Sequence, residues 1–257
     1  MRADAHYVDL IESRSSLSSA ASDTSADQTP DRASPEVSAI PDEALHAGRE
    51  LAHALKTVAG CAALLSDAPS ELSRTVVGDL IRAETWRASV LLQATRVLRR
   101  ELSVARQVIP VSRILDSVLA AFQPERRVRS IAVELRSTLV SGAIVVGDEA
   151  LIEGSLSGAL LATVAILDEM VGASITIAAA PDRGAGVAFS VSQTQVKPPA
   201  TWQTRAFDRS WTDRPGGVPA LAALLGLRAV AEIHGGRARA ERSGHGTTIE
   251  FSLPPGV

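Results

Sequence analysis

The chain has 257 residues, room for one large domain or two smaller ones, and its net charge of −3 offers neither a basic field for nucleic acid nor an acidic tail. Apolar residues make up 46%, ample for a core, but aromatics only 3%, so Ala, Leu and Val must do most of the packing. The single cysteine, Cys61, excludes a disulfide scaffold and a multi-cysteine metal site; set in an alanine-rich stretch, it reads as a small packing residue.

Residues 1–42 are rich in Ser, Ala, Asp and Thr, with Pro30, Pro35 and Pro41 and no sustained periodicity. Such a segment buries too little apolar surface to offset its ordering entropy, so it is expected to be a disordered tail. Its short apolar patch, Tyr7 to Ile11, reads either as part of a frayed tail or as a docking motif.

From Glu43 the pattern changes. Leu51, Leu55, Val58, Ala62 and Leu65 recur at steps of four and three, a heptad stripe on a first helix. Asp67-Ala-Pro-Ser70 breaks that helix and supplies capping side chains for a second. There Val76, Leu80, Ala83, Val90, Ala94 and Val97 repeat the stripe, with Arg87 interrupting it. The two helices form an antiparallel hairpin over 43–109 with too little apolar surface to stand alone. Two hairpins packed as a four-helix bundle solve this, so a homodimer is predicted.

Beyond Pro110 a short helix is predicted over Val111–Phe122, with strands at Ile131–Leu135 and Ala143–Val146. A helix over 148–167 follows, then strands at Ser174–Ala178 and Val187–Val191. Residues 195–216 read as a polar loop, 218–233 as a helix, and 237–242 with 247–253 as a closing strand pair. Strands interleaved with helices on one side give an α+β sandwich over 110–257, expected as a domain separate from the hairpin. The longest apolar run, Gly158 to Leu167, is far short of the roughly 20 residues of a spanning helix. No signal-peptide pattern opens the chain, so a cytoplasmic protein without membrane insertion is expected.

Ala231-Glu-Ile-His-Gly-Gly236, then Gly244-His-Gly-Thr-Thr-Ile-Glu-Phe-Ser-Leu-Pro254, resembles the last helix and hairpin of the ATPase domain of two-component sensor histidine kinases. The order of hairpin and sandwich fits the same family over 43–254. The resemblance implies a dimeric phosphotransfer bundle followed by a GHKL, or Bergerat-type, α/β sandwich. Glu50-Leu51, Leu55, Gly60, Ala62 and Leu64-Leu65 also match the phosphoacceptor helix without a gap, which puts Arg49 where the phosphorylated histidine stands. An arginine stays protonated and has no lone pair for that chemistry. In a second register His53-Ala-Leu-Lys-Thr57 matches the family's own sequence at the histidine, with one helical turn deleted after it. His53 is then the acceptor, although Ala54 replaces the acid that takes its proton. Both registers stay open, with a plain surface histidine as the bland reading of His53; His46 is a weaker candidate.

The family's nucleotide elements are altered at three places. Two asparagines of the helix that meets magnesium and nucleotide are replaced by Gly158 and Ala162, neither of which supplies an oxygen ligand. The Asp-x-Gly-x-Gly segment is replaced by Ser192 to Lys197, where Gln193 alone offers hydrogen bonds to a base. The glycines of the phosphate loop fall at Pro219, Leu221 and Ala223, unless a shifted loop reuses Gly216-Gly217. The loop holding Trp202, Phe207 and Trp211 stands at the family's ATP lid; these rings either cap the sandwich or form a partner patch.

The resemblance with these losses implies a pseudokinase that binds no cofactor. It would dock a response-regulator receiver domain or a partner kinase around Arg49, Glu50, His53 and Lys56. A histidine phosphotransferase using His53, with Lys56 nearby for charge, is the first alternative. An active kinase using magnesium-ATP is the second. A non-signalling ATPase of the same superfamily needs the same lost residues. No metal site is expected.

Overall fold

The computed structural model describes residues 42–66, 70–101, 103–167, 170, 172–182, 186–198, 202–208, 221–244 and 246–255. The tail with its Tyr7–Ile11 patch, and Pro219, Gly216, Gly217 and Trp211, lie outside the described residues.

Helix α1 (Asp42–Ser66) and helix α2 (Glu71–Leu98) form the predicted hairpin. Ser70 caps α2, its hydroxyl accepting the Ser73 amide at 3.1 Å, which satisfies one of the orphan donors of the first turn. The two apolar stripes have different fates. On α2, Ala83, Val90, Ala94 and Val97 are buried, while Val76 stays about half exposed. On α1, Leu55 and Leu65 are exposed.

The C-terminal half of α2 is covered by the α/β part of the same chain, because it lies across helices α3 (Val111–Val128), α4 (Glu149–Leu167) and α6 (Leu221–Ile233). Hairpin and sandwich, expected as separate domains, pack together within one compact unit, 39–257. The connection between them forms a strand the sequence reading missed. This β1 (Gln107–Pro110) pairs antiparallel with β3 (Ile144–Gly147) and straddles the boundary expected at 109/110.

The main sheet runs β2-β4-β5-β7-β6, from β2 (Ala132–Ser137), β4 (Ser174–Pro181), β5 (Val187–Gln193), β7 (Gly246–Leu253) and β6 (Arg237–Ser243). β2 and β4 are parallel and the other pairs antiparallel. Alternation sends Ile175, Ile177, Phe189, Val191, Ile249 and Phe251 into the core, with Thr176, Ser190, Thr248 and Glu250 on the half-exposed opposite face. Phe189 and Phe251 stack at 5.2 Å across the β5–β7 pair.

Two predicted elements need correction. Helix α3 does not stop at Phe122 but continues through Pro124 to Val128. The added turn is held by Glu125, which is buried and paired with Arg87 of α2 and with Arg129. Helix α4 is, over its whole 19 residues, apolar and long enough to cross a membrane by composition, although its longest unbroken apolar run is short. It is the central core helix, with 72% of its most apolar window buried, so its composition reflects packing on nearly every side. A short helix α5 (Trp202–Arg205) lies in the stretch expected to be loop.

Candidate functional site

The described positions to which the resemblance assigns nucleotide contacts come together, as a packed interior. Gly158 is buried on α4, and a Cβ added there would stand 3.2 Å from the Ala223 carbonyl oxygen and 3.4 Å from its Cβ. Ala162, one turn further along α4, has no exposed surface. Leu221 and Ala223, at the positions where the resemblance puts phosphate-loop glycines, form the first turn of α6, within the predicted helix, and are 1% and 2% exposed. Helices α4 and α6 therefore approach until glycine meets alanine, and the interhelical space holds backbone and methyl groups.

Gln193 is 2% exposed at the end of β5, and its amide is fully occupied. The side-chain oxygen accepts the amides of Gln195 at 2.7 Å and Val196 at 2.8 Å. Its nitrogen donates to the Val196 carbonyl at 2.6 Å and to Thr247 Oγ1 at 3.2 Å. With two acceptor and two donor bonds made internally, none is left for a base. Gln193 holds the turn after β5 closed and ties it to buried Thr247 on β7.

Above these elements lies α2. Gln93 covers Gly154 of α4, where a Cβ would collide with the Gln93 amide, and Gln93 Nε2 donates to the Ala150 carbonyl at 2.6 Å. Ala94 covers Gly226 of α6, where a Cβ would come within 2.9 Å of the Ala94 methyl. Small residues on both core helices thus let α2 settle directly onto them.

A cleft of about 300 Å³ opens between the hairpin and the sandwich on another side. Glu50, His53 and Ala54 of α1 face Arg129 and the α4 residues Leu161, Val164 and Ala165, with Glu84 and Arg87 on a wall. Of the four predicted docking residues, Glu50 and His53 line this cleft; Arg49 and Lys56 are exposed elsewhere on α1. His53 is itself exposed. Beneath the wall runs an ion-pair network: Arg87 reaches Glu84 at 2.6 Å and Glu125 at 2.5 Å, and Arg129 reaches Glu125 at 2.8 Å. This explains Arg87, which in the sequence only interrupts a stripe.

His234, quoted in the terminal motif without a role, is 5% exposed and bonded at both ring nitrogens. Nε2 accepts the Asp148 amide at 3.0 Å, which assigns the proton to Nδ1, 2.8 Å from the Val230 carbonyl. The imidazole thereby pins the start of α4 to the end of α6. The tight end of the last helix, Ile233-His-Gly-Gly236, was the available signal. Of the three aromatics of the 202–211 stretch, Trp202 is buried in the core and Phe207 is half-buried against it, which favours capping over a free patch for these two.

A helical hairpin followed by a layer of three helices on a five-stranded mixed sheet is the architecture of a histidine-kinase core with its GHKL-type domain. Solved structures with this fold include the catalytic domain of histidine kinase ThkA (TM-score 0.50, 17% identity, covering 58% of this chain and 97% of that one). The likeness extends over the hairpin in the Acinetobacter baumannii histidine kinase AdeS (0.50, 14%, covering 81% and 98%). It does so too in ThkA in complex with the response regulator protein TrrA (0.53, 16%, covering 84% and 62%). No family model matches the sequence. No curated protein matches it either. This chain therefore has the fold of the histidine-kinase core, and at these identities its chemistry has to be argued from its own residues.

Proposed function

We propose that the chain is a histidine-kinase-like pseudokinase of a two-component pathway, working in the cytoplasm. In this reading it docks a response-regulator receiver domain or a partner kinase and modulates its phosphorylation without binding ATP. The observation that carries the reading is the contact of Gly158 with Ala223, two positions at which the family holds metal and phosphate. The closed hydrogen bonding of Gln193 supports it at the position of base recognition. The ThkA–TrrA complex supports a receiver as partner by likeness of fold alone.

A homodimer belongs to this proposal: Leu55, Leu65, Leu72 and Val76 leave an apolar strip on the part of the hairpin that the sandwich does not cover. Docking is placed on α1 at Arg49, Glu50, His53 and Lys56. Receiver domains encoded with the protein, titrated into it, are expected to bind, and the pair Arg49→Glu with Lys56→Glu to weaken binding about tenfold or more. Binding by none of them contradicts the docking reading.

A second reading has one observation of its own, the exposure of His53 at the mouth of a cleft that contains Arg87 and Arg129. There the chain is a histidine phosphotransferase: an Nε2 or Nδ1 lone pair of His53 attacks the phosphorus of a receiver's aspartyl phosphate, and the aspartate carboxylate leaves. His53→Ala then abolishes relay between phosphorylated and unphosphorylated receivers while preserving docking. Equal relay in both proteins removes this reading.

A further inference from the structure

The connector between α2 and β1 is the point about which hairpin and sandwich could move, and here it is tied down along its length. The Ala105 amide donates to Asp148 Oδ2 at 2.9 Å, and Arg106 Nη2 donates to the Ile233 carbonyl at 3.2 Å. Gln107 Nε2 follows, donating to Glu149 Oε2 at 3.1 Å. Val104 packs against a small apolar cluster made by Val97 of α2, Leu151 of α4 and Val230 of α6. The receiving groups are themselves fixed, since Asp148 Oδ1 caps α4 through the Leu151 amide at 3.1 Å and the Asp148 amide is held by His234.

We propose that residues 104–107 form a latch that fastens the hairpin to the sandwich and keeps α2 seated over the glycines of α4 and α6. The geometry has two consequences. Closed, the latch makes hairpin and sandwich one rigid body and hides Gly154, Ala223 and Gly226 beneath α2. Open, it frees α2 to lift and uncovers that face of α4 and α6. The device uses only carboxylate, carbonyl and apolar contacts within the chain, so it holds for a docking protein and for a phosphotransferase alike.

Hydrogen exchange on the full chain tests it. Asp148→Asn combined with Arg106→Ala keeps a capping side chain on α4 but weakens two of the three polar ties, leaving that of Gln107 to Glu149. Exchange at Ala105 and along residues 90–97 of α2 is expected to rise together, about tenfold, while β5 and β7 keep their protection. Rapid exchange of Ala105 in the unaltered protein, at the rate of an unstructured peptide, overturns the proposal. So does a variant in which Ala105 is freed but α2 exchanges as before. Should β5 and β7 lose protection too, Arg106→Ala alone decides, because it leaves the α4 cap untouched: the same coupled rise supports the latch, and no change in α2 overturns it.

Discussion

Replacing Arg87 with methionine is expected to lower the stability of the chain by about 3 kcal/mol. Its partner Glu125 has no exposed surface, and Arg87 supplies one of the two guanidinium groups that face it. Among the described residues the second carboxylate oxygen, Oε2, has no hydrogen-bond partner, so losing Arg87 leaves Arg129 as the sole counter-charge to a buried anion. Arg87 is itself 21% exposed, which screens part of its attraction and places the expected loss at the low end for a broken buried pair. Restoring balance by adding Glu125→Met should recover most of it, since a well-packed apolar pair often replaces a buried ion pair without loss. Denaturant unfolding of the single and double variants measures both. A single variant within 1 kcal/mol of the parent, on the order of an exposed pair, contradicts the burial argument.

Gly158→Asn introduces the side chain that the resemblance assigns to this position and is expected to do harm. The new Cβ would stand 3.2 Å from the Ala223 carbonyl oxygen and 3.4 Å from its Cβ, and the amide beyond it adds further volume at that close helix contact. Replacing glycine inside a helix recovers a few tenths of a kcal/mol of propensity, while overpacking of this kind costs about 1–3 kcal/mol. The net expectation is a loss of about 2 kcal/mol in thermal or denaturant unfolding, with no nucleotide binding gained. A variant as stable as the parent that binds magnesium-ATP would show that α4 and α6 part readily, and the site is then latent rather than filled.

Much of this architecture was legible in the sequence because it is written in local period. The heptad stripes of α1 and α2, the alternation in β4 and β5, and the terminal hairpin all follow from neighbours a few residues apart. What stayed hidden depends on distant partners. Arg87 interrupts a stripe until Glu125, 38 residues away, is seen beside it. β1 is four residues ending in Pro110 and becomes a strand only by pairing with β3. The predicted helix ends at Phe122, yet it continues through Pro124 because the buried Glu125 beyond it is held by ion pairs from outside the helix. The stripe of α2 was assigned to a second copy of the chain, whereas its C-terminal half is covered by α4 and α6 of its own. At the candidate site, the sequence showed Gly158 and Ala162 where the resemblance places two asparagines on α4. That Gly158 serves a close helix contact was not visible there, because it depends on Ala223.

The central claim, that interior packing has replaced the nucleotide site, is tested most directly by calorimetric titration of the folded protein with magnesium and a non-hydrolysable ATP analogue. The contacts of Gly158 with Ala223, and of Gln193 with its own turn, predict no binding heat up to millimolar analogue. Saturable binding with a dissociation constant in the micromolar range, about 8 kcal/mol of affinity, would contradict the claim and return the chain to the active kinases.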